Sequence, residues 1–239
     1  MRAAGSFGAT RSPALRTTRA SSLRAEGVQV GPYEGVLFDL FSGLLDSQPA
    51  YDDVAGSDVL GRRWRSEHSR LSYLAGDYRP HDDVVAEAAE RIGLSPERAP
   101  ALVARLGELG PWPEAPGVLA QLRATLKIGV VTNCSDELGR RAAAQVDVPF
   151  DVVATAEAAG AYKPRPEPYR LALDALDVSS ARTLFVAGSP DDIAGADRLG
   201  MPVYWHNRRG LDLGGRARPL AEHDSLTPLL EVTSLSRMT

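Results

Sequence analysis

The sequence predicts an α/β fold, a doubly wound parallel sheet of Rossmann-like type with an inserted all-helical cap domain. Three observations carry this. Short apolar runs at 36–38, 128–131 and 183–187 are bounded by turn residues, as the fully buried strands of a parallel sheet are. Segments with helical spacing separate most of these runs, which implies helices on both faces of the sheet. The block from about residue 48 to residue 110 shows helical spacing alone, with no strand-like alternation.

A chain of 239 residues has room for one large domain, or for a core with a smaller insertion. With 44% hydrophobic and 24% charged residues it has the balance of a soluble globular protein. The net charge of −4 argues against general nucleic-acid binding. A single cysteine, Cys134, excludes an internal disulfide and a cysteine-built metal site. No uninterrupted apolar stretch approaches a membrane span, and the cytoplasm is the expected location. Residues 1–33 stand apart. Arg2, Arg11, Arg16, Arg19 and Arg24 lie among Ser, Thr, Ala and Gly, with no acidic residue before Glu26. The composition is that of an organelle transit peptide without its apolar face, and a secretory apolar centre is missing. The segment reads as a disordered tail or as sequence upstream of a later translation start.

In chain order, the first strand (36–38) ends at Asp39, and Asp46-Ser47-Gln48-Pro49 leaves the sheet. Val59-Leu60, Trp64, Leu71 and Leu74, then Val84-Val85, Ala88-Ala89 and Ile92, recur at helical spacing. Ser95-Pro96-Glu97 has the form of an N-cap with Pro in the first turn, opening a helix through Leu102, Val103 and Leu106. Trp112-Pro113-Glu114-Ala115-Pro116-Gly117 leads into a helix carrying Val118, Leu119 and Leu122. A second strand (128–131) ends in Thr132-Asn133, a helix starts near Ser135, and a third strand lies near Val152-Val153. Lys163-Pro164 precedes a helix with Tyr169, Leu171, Leu173 and Leu176. The fourth strand (183–187) leads through Gly188-Ser189-Pro190-Asp191-Asp192 into a helix with Ile193 and Ala196. The stretch 202–205 is the last strand predicted, and a weak helix lies near 226–230. The expected division is a core of 34–47 and 111–239 with a cap of 48–110.

Ligands of such sheets bind outside the carboxyl ends of the strands. Asp39, Thr132-Asn133 and Asp191-Asp192 each fall at such an end, and Lys163 lies in a loop leaving the third strand. Each has an ordinary structural role open to it: Asp39 as a turn cap, Thr132 and Asn133 as helix caps, Lys163 as a surface charge, and Asp191 or Asp192 as first-turn acids. Their joint placement points to a site with Asp39 as a carboxylate nucleophile.

The ordered set resembles the haloacid dehalogenase superfamily of hydrolases over about 35–207. The matching motifs are Phe38-Asp39-Leu40-Phe41-Ser42-Gly43, Val131-Thr132-Asn133, Lys163, and Gly188-Ser189-Pro190-Asp191-Asp192. In the superfamily's phosphatases a second Asp two residues after the nucleophile acts as general acid. Here that position is Phe41, which has no proton to donate. An aromatic there is similar to the L-2-haloacid dehalogenase branch. Lys163-Pro164 with Tyr169, Thr132-Asn133, and Tyr204-Trp205-His206-Asn207-Arg208 resemble that branch too. Two departures stand out. Ser42-Gly43 replaces Gly-Thr after the aromatic, and Ser189 stands in place of Asn.

The resemblance implies that Asp39 displaces a halide from a small anionic 2-haloacid and forms an ester that water then cleaves. Lys163 would keep Asp39 ionised, and Asp192 would order Lys163 or position water. Thr132 would hold the substrate carboxylate with backbone amides and Ser189 would line the site, while Asn133 would donate to the leaving halide and Phe41 and Tyr169 would exclude water. Arg65 of the cap, with Arg62, Arg63 and Arg70 as competitors, would supply a cation. No cofactor is expected. The alternative is a Mg²⁺-dependent phosphatase, its metal on Asp39, the Phe41 carbonyl and Asp191 or Asp192; a non-catalytic binding protein is the other. Family analogy also allows a homodimer through the cap, without nucleic-acid or membrane partners.

Overall fold

The computed structural model describes residues 33–235. The predicted N-terminal tail lies outside the described residues except for Tyr33, which is buried in the core. Six strands form one parallel sheet: β1 (Gly35–Phe38), β2 (Lys127–Thr132), β3 (Val152–Thr155), β4 (Thr183–Ala187), β5 (Val203–His206) and β6 (Ala221–His223). Their order is β3-β2-β1-β4-β5-β6. From β1 the chain runs to β2 and β3 on one side and then crosses to β4 and β5 on the other. The order therefore reverses between β1 and β4, where such sheets open a crevice at their carboxyl ends. Phe38 pairs with Val130 on one side and with Val186 on the other, so the residues after β1 and β4 emerge side by side.

Alternation along the strands sorts the core into two faces. Val36, Phe38, Val130, Leu184 and Val186 face one layer, built on helix Ala115–Arg123 with Val118, Leu119 and Leu122 and on helix Leu229–Leu235 through Leu229. Leu37, Val131, Phe185, Ala187 and Trp205 face the other, built on helices Pro166–Leu176 and Pro190–Asp197. Strand β6 is the one strand outside the predicted set. Its residues Ala221, Glu222 and His223 form no apolar run, because an edge strand is covered on fewer sides.

Between β1 and β2 the chain is helical, with Gln48–Ala55, Asp58–Ala75, His81–Arg91 and Ala99–Leu106 packed as a cap. Trp64 is at its centre, the indole Nε1 donating to the Val85 carbonyl at 3.0 Å. The buried stripe of Asp58–Ala75 is Gly61, Trp64, His68, Leu71 and Ser72. Val59 and Leu74, which the spacing placed on that stripe, are 55% and 69% exposed. Two polar side chains take their places inside: His68, which bonds Tyr51 at 2.5 Å, and Ser72. Phe41 packs against both the cap core and the sheet core, at the seam between them.

Close approach at that seam dictates one glycine. A Cβ on Gly188 would lie 2.3 Å from the Gly43 nitrogen and 2.4 Å from the Ser42 carbonyl carbon. These are backbone atoms, so the turn following β1 would have to move. Gly188→Ala should lower stability by about 1–3 kcal/mol, read as a lower urea midpoint at unchanged slope. An unchanged midpoint would show that the turn yields freely.

Candidate active site

Asp39 terminates β1 and caps a five-residue π-helical turn, Leu40–Leu44. Its two carboxylate oxygens have separate tasks. Oδ2 accepts from the backbone N–H of Ser42 at 3.0 Å and of Gly43 at 3.1 Å, and from the Ser42 hydroxyl at 2.8 Å. Oδ1 faces the Lys163 ammonium at 2.7 Å. Turn capping and the pairing with Lys163 thus coexist in one side chain. Although Ser42-Gly43 departs from the Gly-Thr pattern, the Ser42 hydroxyl reaches the carboxylate. The turn is braced from behind, the Asp39 N–H donating to the Val186 carbonyl at 3.0 Å and His206 Nδ1 lying 2.9 Å from the Gly43 carbonyl.

Lys163 is 1% exposed and lies 2.7 Å from Asp39 and 2.9 Å from Asp192. Burial alone would push the lysine towards neutrality, but the two carboxylates overcome it and raise its pKa above the ordinary lysine value. For Asp39, burial acts upwards, yet Lys163 and the Ser42 donors hold it below the usual carboxylate range. Asp192 goes the other way: burial, with the Asp39 charge adding to it, raises its pKa against the opposing pull of Lys163. The site therefore holds one carboxylate kept ionised beside another with greater proton affinity.

Asn133 fixes this lysine. Its Oδ1 accepts from the Lys163 backbone N–H at 2.7 Å, and its Nδ2 donates to the Lys163 carbonyl at 3.1 Å. Both ends of the amide are thus engaged by the backbone, and the second N–H of Nδ2 remains as a further donor. Thr132 is fully buried, its hydroxyl 3.6 Å from Cys134 Sγ. It packs where helix Asp136–Ala144 meets β2, its methyl group facing Gly139. Burial pushes the Cys134 thiol up to about 12, in keeping with a core filler. Tyr169 stands behind the site, its ring edge-on to Phe185 and its hydroxyl 3.5 Å from the Asp192 carbonyl. It supports Asp192 from the core and does not wall off solvent.

On the cap side, Arg65 is the arginine turned inwards. Its Nε donates to Ser47 at 3.1 Å, and it feels the charges of Asp39 and Asp46. Arg62, Arg63 and Arg70 are exposed; Arg62 pairs with Asp58 and Arg70 with Glu67. Tyr73 was missed from the sequence. Its hydroxyl lies 3.0 Å from Ser189 Oγ and 3.2 Å from Asp192 Oδ1. The available signal was its place two turns beyond Arg65, at a spacing that puts both on one helix face.

The acidic pair of the fourth motif divides. Asp192 enters the site, whereas Asp191 is ion-paired with Arg216. Among the described residues no group of three His, Cys, Asp or Glu side chains is arranged to hold a metal ion. The Lys163 ammonium stands between the two carboxylates that would bind one. In this arrangement the ammonium itself offsets the charge of that pair of carboxylates. No described helix is long and apolar enough to cross a membrane.

The family model for haloacid dehalogenase-like hydrolases matches residues 33–200. An (S)-2-haloacid dehalogenase of Pseudomonas putida is 28% identical over 228 residues, covering 87% of this chain and 96% of its own. A haloacetate dehalogenase of Moraxella sp. (strain B) is 30% identical over 196 residues, covering 74% and 87%. In three dimensions the chain resembles an L-2-haloacid dehalogenase of Xanthobacter autotrophicus with chloropropionic acid covalently bound, at TM-score 0.74 and 23% identity, covering 84% of this chain and 98% of that one.

Removing the bridging ammonium tests the electrostatics. Lys163→Met leaves two buried carboxylates facing each other, at a cost of about 3–5 kcal/mol near neutral pH. In the native protein the lowered pKa of Asp39 contributes stability above its unfolded value, lost as pH falls through the folded value. Without Lys163 the sign reverses, since the folded variant takes up protons that the unfolded chain does not. The deficit should therefore shrink between about pH 8 and about pH 5 in urea titrations. A deficit that grows on acidification contradicts this account.

Proposed function

This chain belongs to the haloacid dehalogenase-like hydrolases, and we propose that it hydrolyses the carbon–halogen bond of a small 2-haloacid through an ester on Asp39. The carrying observation is the pairing of Asp39 Oδ1 with a buried Lys163 ammonium, in a site whose acid position is Phe41. Halide departs as an anion and needs no proton, so an aromatic residue there costs the reaction nothing. The dehalogenase relatives support the same reading.

In the first step Asp39 Oδ1 attacks the halogen-bearing carbon from behind, and the carbon–halogen electron pair leaves with the halide. Arg65 holds the substrate carboxylate, and the seam residue Phe41 limits water around the reacting carbon. In the second step water adds to the Asp39 carboxyl carbon, and Asp192 takes its proton. The charge developing on Oδ2 falls between the Ser42 and Gly43 N–H groups, already aimed at that oxygen. Collapse expels the alkoxide, which takes the proton from Asp192 and leaves as a 2-hydroxyacid. Asp39 then ionises again beside Lys163, and a proton goes to solvent. The net change is one water consumed, with halide, proton and hydroxyacid formed. Asn133 acts in this scheme by holding Lys163. The same proposal includes a cytoplasmic setting, which suits the lone buried Cys134, and a homodimer covering apolar Val59 and Leu74.

Halide release from 2-chloropropionate, in the presence of a chelator, is the direct measurement. Asp39→Asn should reduce it at least about a thousandfold. In a single turnover in ¹⁸O-water, the label should enter the Asp39 peptide and not the product. Label in the product hydroxyl would mean direct attack by water and would sink the ester. Mg²⁺-dependent turnover of a phosphate ester without halide release would favour phosphate chemistry instead.

A further inference from the structure

We propose that Tyr73, carried by the cap, is a positioning residue for hydrolysis of the ester: with Ser189, its hydroxyl holds the Asp192 carboxylate in the orientation that takes a proton from the attacking water. The inference rests on the dehalogenase reading and adds to it a cap residue that acts on the second step alone.

The hydrogen-bond inventory of Asp192 assigns its two oxygens. Oδ1 receives the Lys163 ammonium at 2.9 Å and the Tyr73 hydroxyl at 3.2 Å. Oδ2 receives the Ser189 hydroxyl at 3.1 Å. A carboxylate oxygen has about two acceptor sites, so Oδ1 is filled and Oδ2 has one site open. The water proton is thereby directed to Oδ2. Once protonated, Oδ2 is a poorer acceptor, and the Ser189 hydrogen needs another partner. The Tyr73 oxygen, 3.0 Å from Ser189 Oγ, supplies it. The Tyr73–Ser189 pair thus satisfies Asp192 in both protonation states without moving a heavy atom.

Tyr73 is held firmly enough for this task. Three residues further on, the Gly76 carbonyl accepts from the Tyr162 N–H at 2.9 Å. Asp77 bridges Ala161, and the Tyr78 N–H donates to the Gly160 carbonyl at 2.9 Å. This pairing ends at the residue before Lys163, so one backbone frame carries both partners of Asp192 Oδ1. The phenol remains a donor, because burial and the neighbouring Asp192 and Asp39 charges raise its pKa. The other titratable groups about Asp192 are Lys163, Asp39 and the core residue Tyr169.

Tyr73→Phe removes the hydroxyl and keeps the ring. With enzyme in excess over 2-chloropropionate, halide release should stay within about twofold of wild type, while hydroxyacid release slows about 10- to 100-fold. The ester should accumulate on the Asp39 peptide by mass spectrometry. The pH limb for hydroxyacid release should move to higher pH, since Asp192 has lost a donor to its ionised form. Ser189→Ala should slow the same step. Equal slowing of both steps, or no slowing, overturns the proposal. Absence of halide release from wild type would instead overturn the dehalogenase reading. In that case a ¹³C-carboxyl titration, assigned with Asp192→Asn, still decides about Tyr73 without turnover. An upward shift of the Asp192 midpoint in Tyr73→Phe supports the contact, and an unmoved midpoint removes it.

Discussion

The Lys163 ammonium, buried between Asp39 and Asp192, is the interaction on which the rest of the site depends. A cation at this depth is tolerated only because two carboxylates meet it, and each carboxylate is tolerated only because the cation is present. The arrangement is asymmetric. Asp39 has three further donors on its second oxygen, from Ser42 and Gly43, and stays ionised. Asp192 has two hydroxyls as its further side-chain donors, Tyr73 and Ser189, and its proton affinity rises. One buried charge thus sits between a carboxylate that stays ionised and one with greater proton affinity.

The parallel sheet makes that triple possible. Because β1 lies between β2 and β4, with Phe38 in register with Val130 and Val186, groups far apart in sequence arrive at one edge. Lys163 arrives differently, from a loop, and needs the Asn133 amide clamped on its backbone to hold it. Packing tolerance there is small. Gly188 has no room for a side chain against the Asp39 turn, and Gly195 has none against the Tyr169 hydroxyl, 2.4 Å from where its Cβ would sit.

The helical cap completes the site. Phe41 joins the two apolar cores, Arg65 turns inwards while its neighbouring arginines face solvent, and Tyr73 reaches Asp192. The backbone pairing around Asp77 and Ala161 ties the end of the Tyr73 helix to the start of the Lys163 loop.

Much of this was legible in the order of residues. Apolar runs ending in Asp39, Thr132 and Ala187 declared buried parallel strands, because period and composition are local properties. The motif order named Asp39, Lys163 and the acidic loop, whose side chains the fold brings together, and Phe41 stands where the resemblance would expect an acid. Strand β6 was not legible, since three residues at a sheet edge need no apolar run. Nor were the directions of side chains. Asp191 and Asp192 are neighbours of identical chemistry, yet helix geometry sends one to Arg216 and the other to Lys163. Asn133 and Tyr169 stand where motif reasoning put them, and each also bonds backbone groups that no motif foretells. Tyr73 joined the site because a cap helix, 119 residues from Asp192, is packed across it. The sequence by itself determined which groups are available at the sheet edge. Tertiary structure alone decided which atoms face one another, because hydrogen-bond partners at such separations depend on packing that no local pattern encodes.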